Sequence, residues 1–200
     1  MKTKHPIVAI TGKARSGKDT FADILIENHG FTKVGFADKL KEAAFALDPL
    51  IPNSEGDFPT HIRLSSLVSS IGWENAKDEY PEVRAILQRL GTEAGWQIHG
   101  ERLWVDAAAK TIDTLPEGKP VVIPDLRFPA ERDWAKEVGA TVVLIKRENV
   151  EQVLGPNAAH ASEKGVGLVD QIIDNNDGLD DLVKKAARLV SSLELTSTLS

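Results

Sequence analysis

Gly12-Lys13-Ala14-Arg15-Ser16-Gly17-Lys18-Asp19-Thr20 is the stretch on which the fold reading turns. It follows a short apolar run, residues 7–11, that reads as a buried strand ending at Gly12. It precedes residues 19–28, where Phe21, Ala22, Ile24 and Leu25 recur at helical spacing. Strand, GxxxxGK loop and helix, in that order, form the context in which such a loop holds phosphate. Two glycines let the backbone curl so that its N–H groups face inward. The helix opening near Lys18 turns the positive end of its dipole toward the same anion. Lys18 is then placed to reach the outer phosphates of a nucleotide, with Arg15 and Ser16 in the loop itself. Position 19 departs from the usual Ser or Thr. Asp19 either ligates Mg²⁺, directly or through water, or is an ordinary first-turn acid that complements the helix dipole. Thr20 supplies a hydroxyl one residue later.

Outward from the loop, strands and helices alternate. Residues 33–36 read as a second strand and 39–47 as a helix. Residues 48–60 hold Pro49, Pro52, Gly56 and Pro59 and read as a long loop. Leu64, Leu67, Val68 and Ile71 make a helical stripe, and Pro81 opens a helix with Val83, Ile86, Leu87 and Leu90 on one face. Gly91 and Gly95 are expected to bend or end that helix. Residues 105–115 read as another helix. Residues 121–123 and 141–145 are continuous β-branched runs, 172–173 a last short strand, and a terminal helix follows Gly178. Uninterrupted apolar strands separated by helices predict a parallel sheet covered on both faces. The helical stretch 64–115 breaks the alternation and reads as an insertion. The polar segment 147–167, with Gly155, Pro156, Gly165 and Gly167, reads as a lid.

Composition narrows the function classes. The 200 residues fit one domain, and a chain of this length can bury about 70% of its unfolded surface. Cysteine is absent, which removes disulfides, thiol nucleophiles and Cys-ligated metal centres. Lys and Arg number 24 against 30 acids, a net charge of -6, which argues against a general nucleic-acid binder but not against a small anion held by a few local bases. No uncharged stretch is long enough to span a membrane, and the N-terminal apolar run is too short for a signal peptide.

Other residues acquire meaning from position. Pro124-Asp125-Leu126-Arg127 follows the 121–123 strand, and in open parallel sheets ligands sit beyond the carboxyl ends of strands. Asp125 can therefore serve magnesium or its waters and Arg127 a phosphate; a turn Asp and a solvated Arg are the plainer alternative. Glu131 opens the next helix as a dipole partner. Arg84, Gln88 and Thr92, four apart, share one helix face, either a polar stripe along a ligand cleft or a solvated surface. Trp104 stacks a base or fills core, with core the default. Arg63 closes on an anion or stays at the surface. Arg147 lies just after the 141–145 strand. His160 is a poor metal ligand, since no second His or Cys is in register.

Several elements together resemble one family. They are GKARSGKDT (12–20), ADKLKE (37–42), LQRLGTE (87–93), Leu103-Trp104-Val105, PDLRFPAE (124–131), VGATVV (138–143), HASE (160–163) and DNNDG (174–178). This set is similar to the deoxynucleoside monophosphate kinases of bacteriophages over nearly the whole chain, with 48–63 the least alike. Animal-type phosphomevalonate kinases are similar in the same elements. The resemblance implies one three-layer α/β P-loop nucleoside-monophosphate-kinase domain over 1–200, with a five-stranded parallel sheet, an acceptor-binding region at 48–115 and a lid at 147–167. It implies ATP and Mg²⁺, and a deoxynucleoside monophosphate (dNMP) as acceptor. Gly12, Arg15, Ser16, Gly17, Lys18, Asp19, Thr20 and Arg147 would hold ATP, with Asp19, Thr20 and Asp125 serving the metal. Lys41, Arg63, Arg84, Gln88, Gly91, Thr92 and Trp104 would line the acceptor pocket. Asp125, Arg127 and Glu131 would stand between the ligands, and Lys18, Arg15, Asp125 and Arg127 would carry catalysis.

The expected activity is ATP-dependent phosphorylation of dNMPs to diphosphates. Another small-molecule kinase, such as one acting on phosphomevalonate, and a non-catalytic nucleotide-binding module remain as alternatives. The expected partners are small molecules, with no nucleic-acid polymer and no membrane; a homodimer stays open. The expected location is the cytoplasm, that of the host for a phage-encoded chain. The acidic balance suits this reading, because Arg15, Lys18, Arg84, Arg127 and Arg147 would gather positive charge locally while six acids lie between Asp170 and Glu194.

Overall fold

A computed structural model describes residues 4–53, 60–148 and 169–197. The chain runs β1 (Ile7–Thr11), α1 (Lys18–His29), β2 (Thr32–Lys33), α2 (Asp38–Leu47), β3 (Leu50–Asn53) and β4 (Thr60–Arg63). It continues through α3 (Leu64–Glu79), α4 (Pro81–Gln88), a π-helical segment (Arg89–Trp96), α5 (Gln97–His99) and α6 (Leu103–Asp113). It closes with β5 (Val121–Ile123), α7 (Pro129–Val138), β6 (Thr141–Lys146), β7 (Gln171–Asp174) and α8 (Leu179–Ser197). Two compact units result, one of Met1–Phe36 with Ala109–Ser200 and one of Ala37–Ala108.

The first unit is built on a five-stranded sheet in the order β2-β5-β1-β6-β7, parallel at every pairing. All five residues of β1 are buried, as a central strand covered on both faces requires. Side chains alternate across a strand, so Val8 and Ile10 face one layer. There they meet Phe21, Ala22, Ile24 and Leu25 of α1 and Leu182, Ala186 and Leu189 of α8. Trp134 and Ala135 of α7 are buried outside that cluster, and Trp134 meets Phe36 edge-on at 5.7 Å between ring centres. Helices thus cover both faces, and the three-layer α/β fold expected from the sequence is the one observed. Each fully buried Leu, Ile or Phe here contributes about 1.5–3 kcal/mol over its exposed state. The second strand begins one residue earlier than expected and is shorter, since only Thr32 and Lys33 have ladder partners on the three-residue β5.

The second unit packs Ala44, Ile51, Leu64, Leu67, Ala76 and Val83 into its own core. Here the sequence reading is corrected. Residues 48–60 are not wholly loop, because β3 pairs antiparallel with β4, Leu50 opposite Arg63 and Ile51 opposite Ile62. Ile51 is fully buried while Leu50 is 53% exposed, so burial of one side chain orders the strand despite Pro49 and Pro52. In a two-stranded ladder a proline can turn its missing donor outward. Residues 54–59 lie outside the described residues. Gly91 and Gly95 also behave differently from expectation: the chain stays helical past them, widened into a π-helical segment. α3 instead breaks at Gly72, whose φ of 77° and ψ of 166° are non-helical. No helix among the described residues is long and apolar enough to cross a membrane.

Candidate active site

In the first unit, the carboxyl ends of β5, β1, β6 and β7 lead into Asp125 and Arg127, the glycine loop, Arg147, and Asn175 respectively. This is the edge where open parallel sheets take ligands. The loop is held tightly. Gly12 has φ of 149°, and a Cβ there would lie 2.4 Å from the Ile145 carbonyl oxygen. Arg15 adopts φ of 62°, and Gly17 the left-handed conformation at φ 96°. The Ser16 N–H donates to the Lys13 carbonyl at 3.2 Å, and the Lys18 ammonium reaches the same carbonyl oxygen at 2.8 Å.

Three observations show that this loop fits an anion. α1 starts at Gly17, which has no side chain to cap the helix, and the positive end of the helix dipole faces the loop. The Ser16 hydroxyl is buried and has no hydrogen-bond partner among the described residues, a group that phosphate oxygen would satisfy. A Cβ at Gly12 would come within 2.9 Å of that hydroxyl, so glycine keeps the space in front of it open. Asp19, Thr20 and Arg15 are exposed and Lys18 is half-buried. Among the described residues no group of three or more His, Asp or Glu could hold a metal.

Asp125 is half-buried and its Oδ1 accepts the Phe36 N–H at 3.0 Å. The Leu126 N–H donates to the Ile10 carbonyl at 3.2 Å, tying the turn after β5 to β1. Arg127 is exposed. Glu131 is buried, and its Oε2 accepts the N–H groups of Arg127 at 2.7 Å and Phe128 at 2.9 Å. The carboxylate the sequence offered as a ligand contact is thus spent on capping α7 and shaping the Arg127 turn. Burial pushes its pKa up to about 7; the two N–H bonds pull down, and the Asp125 charge adds to the rise. Arg147 is exposed, directly after β6, and residues 149–167 of the expected lid, with His160, lie outside the described residues.

In the second unit, Lys41 lines a cavity of about 500 Å³ with Asp38, Glu42, Phe45, Ala46 and Trp73. Phe45 and Trp73 give it aromatic walls that the sequence reading did not assign. Arg84, Gln88 and Thr92 follow one another along α4 and the π-helical segment, the first two exposed. Arg84 donates from Nε to the Lys77 carbonyl at 2.7 Å and pairs with Asp78. Arg63 donates to the Asp48 carbonyl at 2.9 Å. Trp104 is half-buried and its Nε1 donates to the Gly91 carbonyl at 3.0 Å. Gly91 and Gly95 are small for packing reasons: a Cβ would lie 3.1 Å from Leu40 at Gly91 and 2.9 Å from the Trp104 indole nitrogen at Gly95. π-helical turns are rare and recur at functional sites.

One residue has no role in the sequence reading, although it lies in the DNNDG stretch, 174–178. The Asn175 side-chain amide donates to the Ser16 carbonyl at 2.9 Å, across 159 positions of chain. The sequence signal is that stretch, with an Asn pair just past a strand, but nothing in it points to the loop.

A family model described as deoxynucleotide monophosphate kinase matches residues 48–186. The chain is similar to the deoxynucleotide monophosphate kinase of Enterobacteria phage T4, 25% identical with 90% of this chain and 96% of that protein covered. It is also similar to the deoxynucleoside-5'-monophosphate kinase of Escherichia phage T5, 29% identical over 50% of this chain and 42% of that protein. In fold it is similar to the crystal structure of TT1252 from Thermus thermophilus, at 17% identity and a TM-score of 0.50, covering 94% of this chain and 97% of that one. The family match spans more than half of the chain, which therefore belongs to the deoxynucleotide monophosphate kinase family.

Proposed function

We propose that this kinase transfers the γ-phosphoryl group of ATP to the 5′-phosphate of a dNMP, using residues 12–20 for the donor and the 37–108 unit for the acceptor. The observation that carries the donor half is the buried Ser16 hydroxyl, which has no hydrogen-bond partner among the described residues and is left for phosphate. The family match supports a deoxynucleotide over phosphomevalonate as acceptor. The reaction belongs in the cytoplasm, where ATP is abundant.

The acceptor is already an anion, so proton chemistry is minor and the obstacle is repulsion. Two unit charges about 4 Å apart repel by roughly 4 kcal/mol at an effective dielectric of 20. Lys18, Arg15 and the backbone N–H groups of the loop offset this on the donor side and stabilise charge that spreads over the transferring group. Arg127 and Arg147, both exposed beyond strand ends, supply further positive charge. Asp19, Thr20 or Asp125 would hold Mg²⁺, which when bound would offset phosphate charge. In the second unit Lys41 and the Phe45 and Trp73 rings suit a nucleotide with an aromatic base and a 5′-phosphate, and Arg84 would exchange Asp78 for the acceptor phosphate.

Coupled ADP-release assays over dNMPs, NMPs and phosphomevalonate test the reading. ADP release stimulated by a dNMP is expected. Lys18→Ala is expected to keep the fold, by circular dichroism, and lose most turnover. Wild-type-like kinetics in that variant, or ATP binding with no dNMP-stimulated release, overturns the proposal.

A further inference from the structure

The phosphate loop is braced from outside by a residue that none of the preceding chemistry uses. The Asn175 Nδ2 donates to the Ser16 carbonyl at 2.9 Å. The same nitrogen lies so near Gly17 that a Cβ there would come within 2.2 Å of it. Gly17 is therefore glycine for two reasons, its left-handed φ of 96° and the amide pressed against its α-carbon.

The geometry points to Asn175 as the residue that positions the phosphate loop for its anion. The Ser16–Gly17 peptide is trans, so its N–H is held opposite to its C=O. Fixing the Ser16 oxygen toward Asn175 turns the Gly17 N–H away from Asn175. A peptide left unheld can rotate its plane and present the carbonyl, an anion-repelling group, in place of the donor. The loop needs such a restraint because it contains Arg15 at φ 62°, a strained value for a residue with a side chain.

The brace itself is anchored. The Asn175 N–H donates to the Lys146 carbonyl at 2.7 Å, continuing the β6–β7 pairing. The Asn176 Oδ1 accepts the Glu148 N–H at 2.9 Å, fixing the backbone next to Arg147. The Lys185 ammonium donates to the Asp174 carbonyl at 2.7 Å and pairs with Asp181. With the backbone of 174–176 fixed in this way, the Asn175 side chain starts from a set position, which limits the entropy lost when it bonds the loop. Neighbouring asparagines thereby hold two phosphate-side elements, the glycine loop through Asn175 and the Arg147 turn through Asn176.

The inference rests on the proposed donor site. Its test compares wild type with Asn175→Ala and Asn175→Asp by steady-state kinetics and by calorimetric titration with a non-hydrolysable ATP analogue. Asp has the shape of Asn and accepts turn hydrogen bonds equally well, but it cannot donate to the Ser16 carbonyl; because it also adds a negative charge, weaker binding supports the inference only where uncharged Ala shows it too. Both variants are expected to raise KM for ATP and weaken analogue binding about tenfold, Asp at least as much as Ala, with KM for the dNMP within twofold of wild type. Asn175→Asp matching wild type would show a role confined to the turn and overturn the inference. Equal rises in both KM values, or unchanged analogue binding in both variants, would overturn it too. If wild type binds the analogue but phosphorylates no dNMP, the acceptor reading fails while the titration still decides the role of Asn175.

Discussion

Glu131 is the place to test what burial does to a charge in this protein. Its carboxyl, in the first turn of α7, is buried, accepts the Arg127 and Phe128 N–H groups, and has its pKa raised to about 7 from the ordinary 4.5. The raised value means the folded state binds the proton more tightly than the unfolded chain does. The stabilisation from that proton is full below about pH 4.5, declines as pH rises, and is gone above about pH 7. Two and a half pH units at about 1.4 kcal/mol each give about 3 kcal/mol, of which 2–3 kcal/mol is lost between pH 5 and pH 8. In Glu131→Gln the amide oxygen still accepts both N–H groups, and its NH₂ adds a cost that does not vary with pH. Urea unfolding of both proteins from pH 5 to 8, followed by far-UV circular dichroism, reads the difference. The stability of wild type relative to the variant is expected to fall by 2–3 kcal/mol as pH rises across that range. A flat difference, or one that grows with pH, refutes the reasoning.

Two further outcomes follow from packing. Ile51→Ala should cost about 2–5 kcal/mol, since Ile51 is fully buried, whereas Leu50→Ala, half exposed one position earlier, should stay within about 0.5 kcal/mol; equal costs in urea unfolding would contradict the β3 register. Gly95→Ala in an ordinary helix would stabilise by up to about 1 kcal/mol, but a Cβ 3.0 Å from the Leu90 carbonyl and 2.9 Å from the Trp104 nitrogen predicts a loss of about 1–3 kcal/mol, so the sign of the change in urea midpoint decides.

What could be read from the sequence was local. A strand, a glycine loop and a helix within 25 residues are written in contiguous residues, because backbone curl, dipole direction and apolar period are properties of a short segment. The parallel sheet followed for the same reason, from unbroken β-branched runs separated by helices. Elements whose order depends on distant partners were not legible. β3 reads as loop from its prolines, yet Ile51 is drawn into a core formed by α2, α3 and α4. Gly91 and Gly95 read as helix breakers, yet they make room for Leu40 and for Trp104 within a continuing helix. Glu131 reads as a dipole partner at a helix start, and it is the tertiary structure that buries it against the Arg127 turn, near Asp125, and so raises its pKa. The phosphate loop shows the division most clearly. Its glycines and Lys18 announce an anion site in nine residues, but the restraint on the Ser16–Gly17 peptide comes from Asn175, 159 residues away. No short-range pattern encodes that contact, because β6 and β7 must first pair before Asn175 can reach the loop.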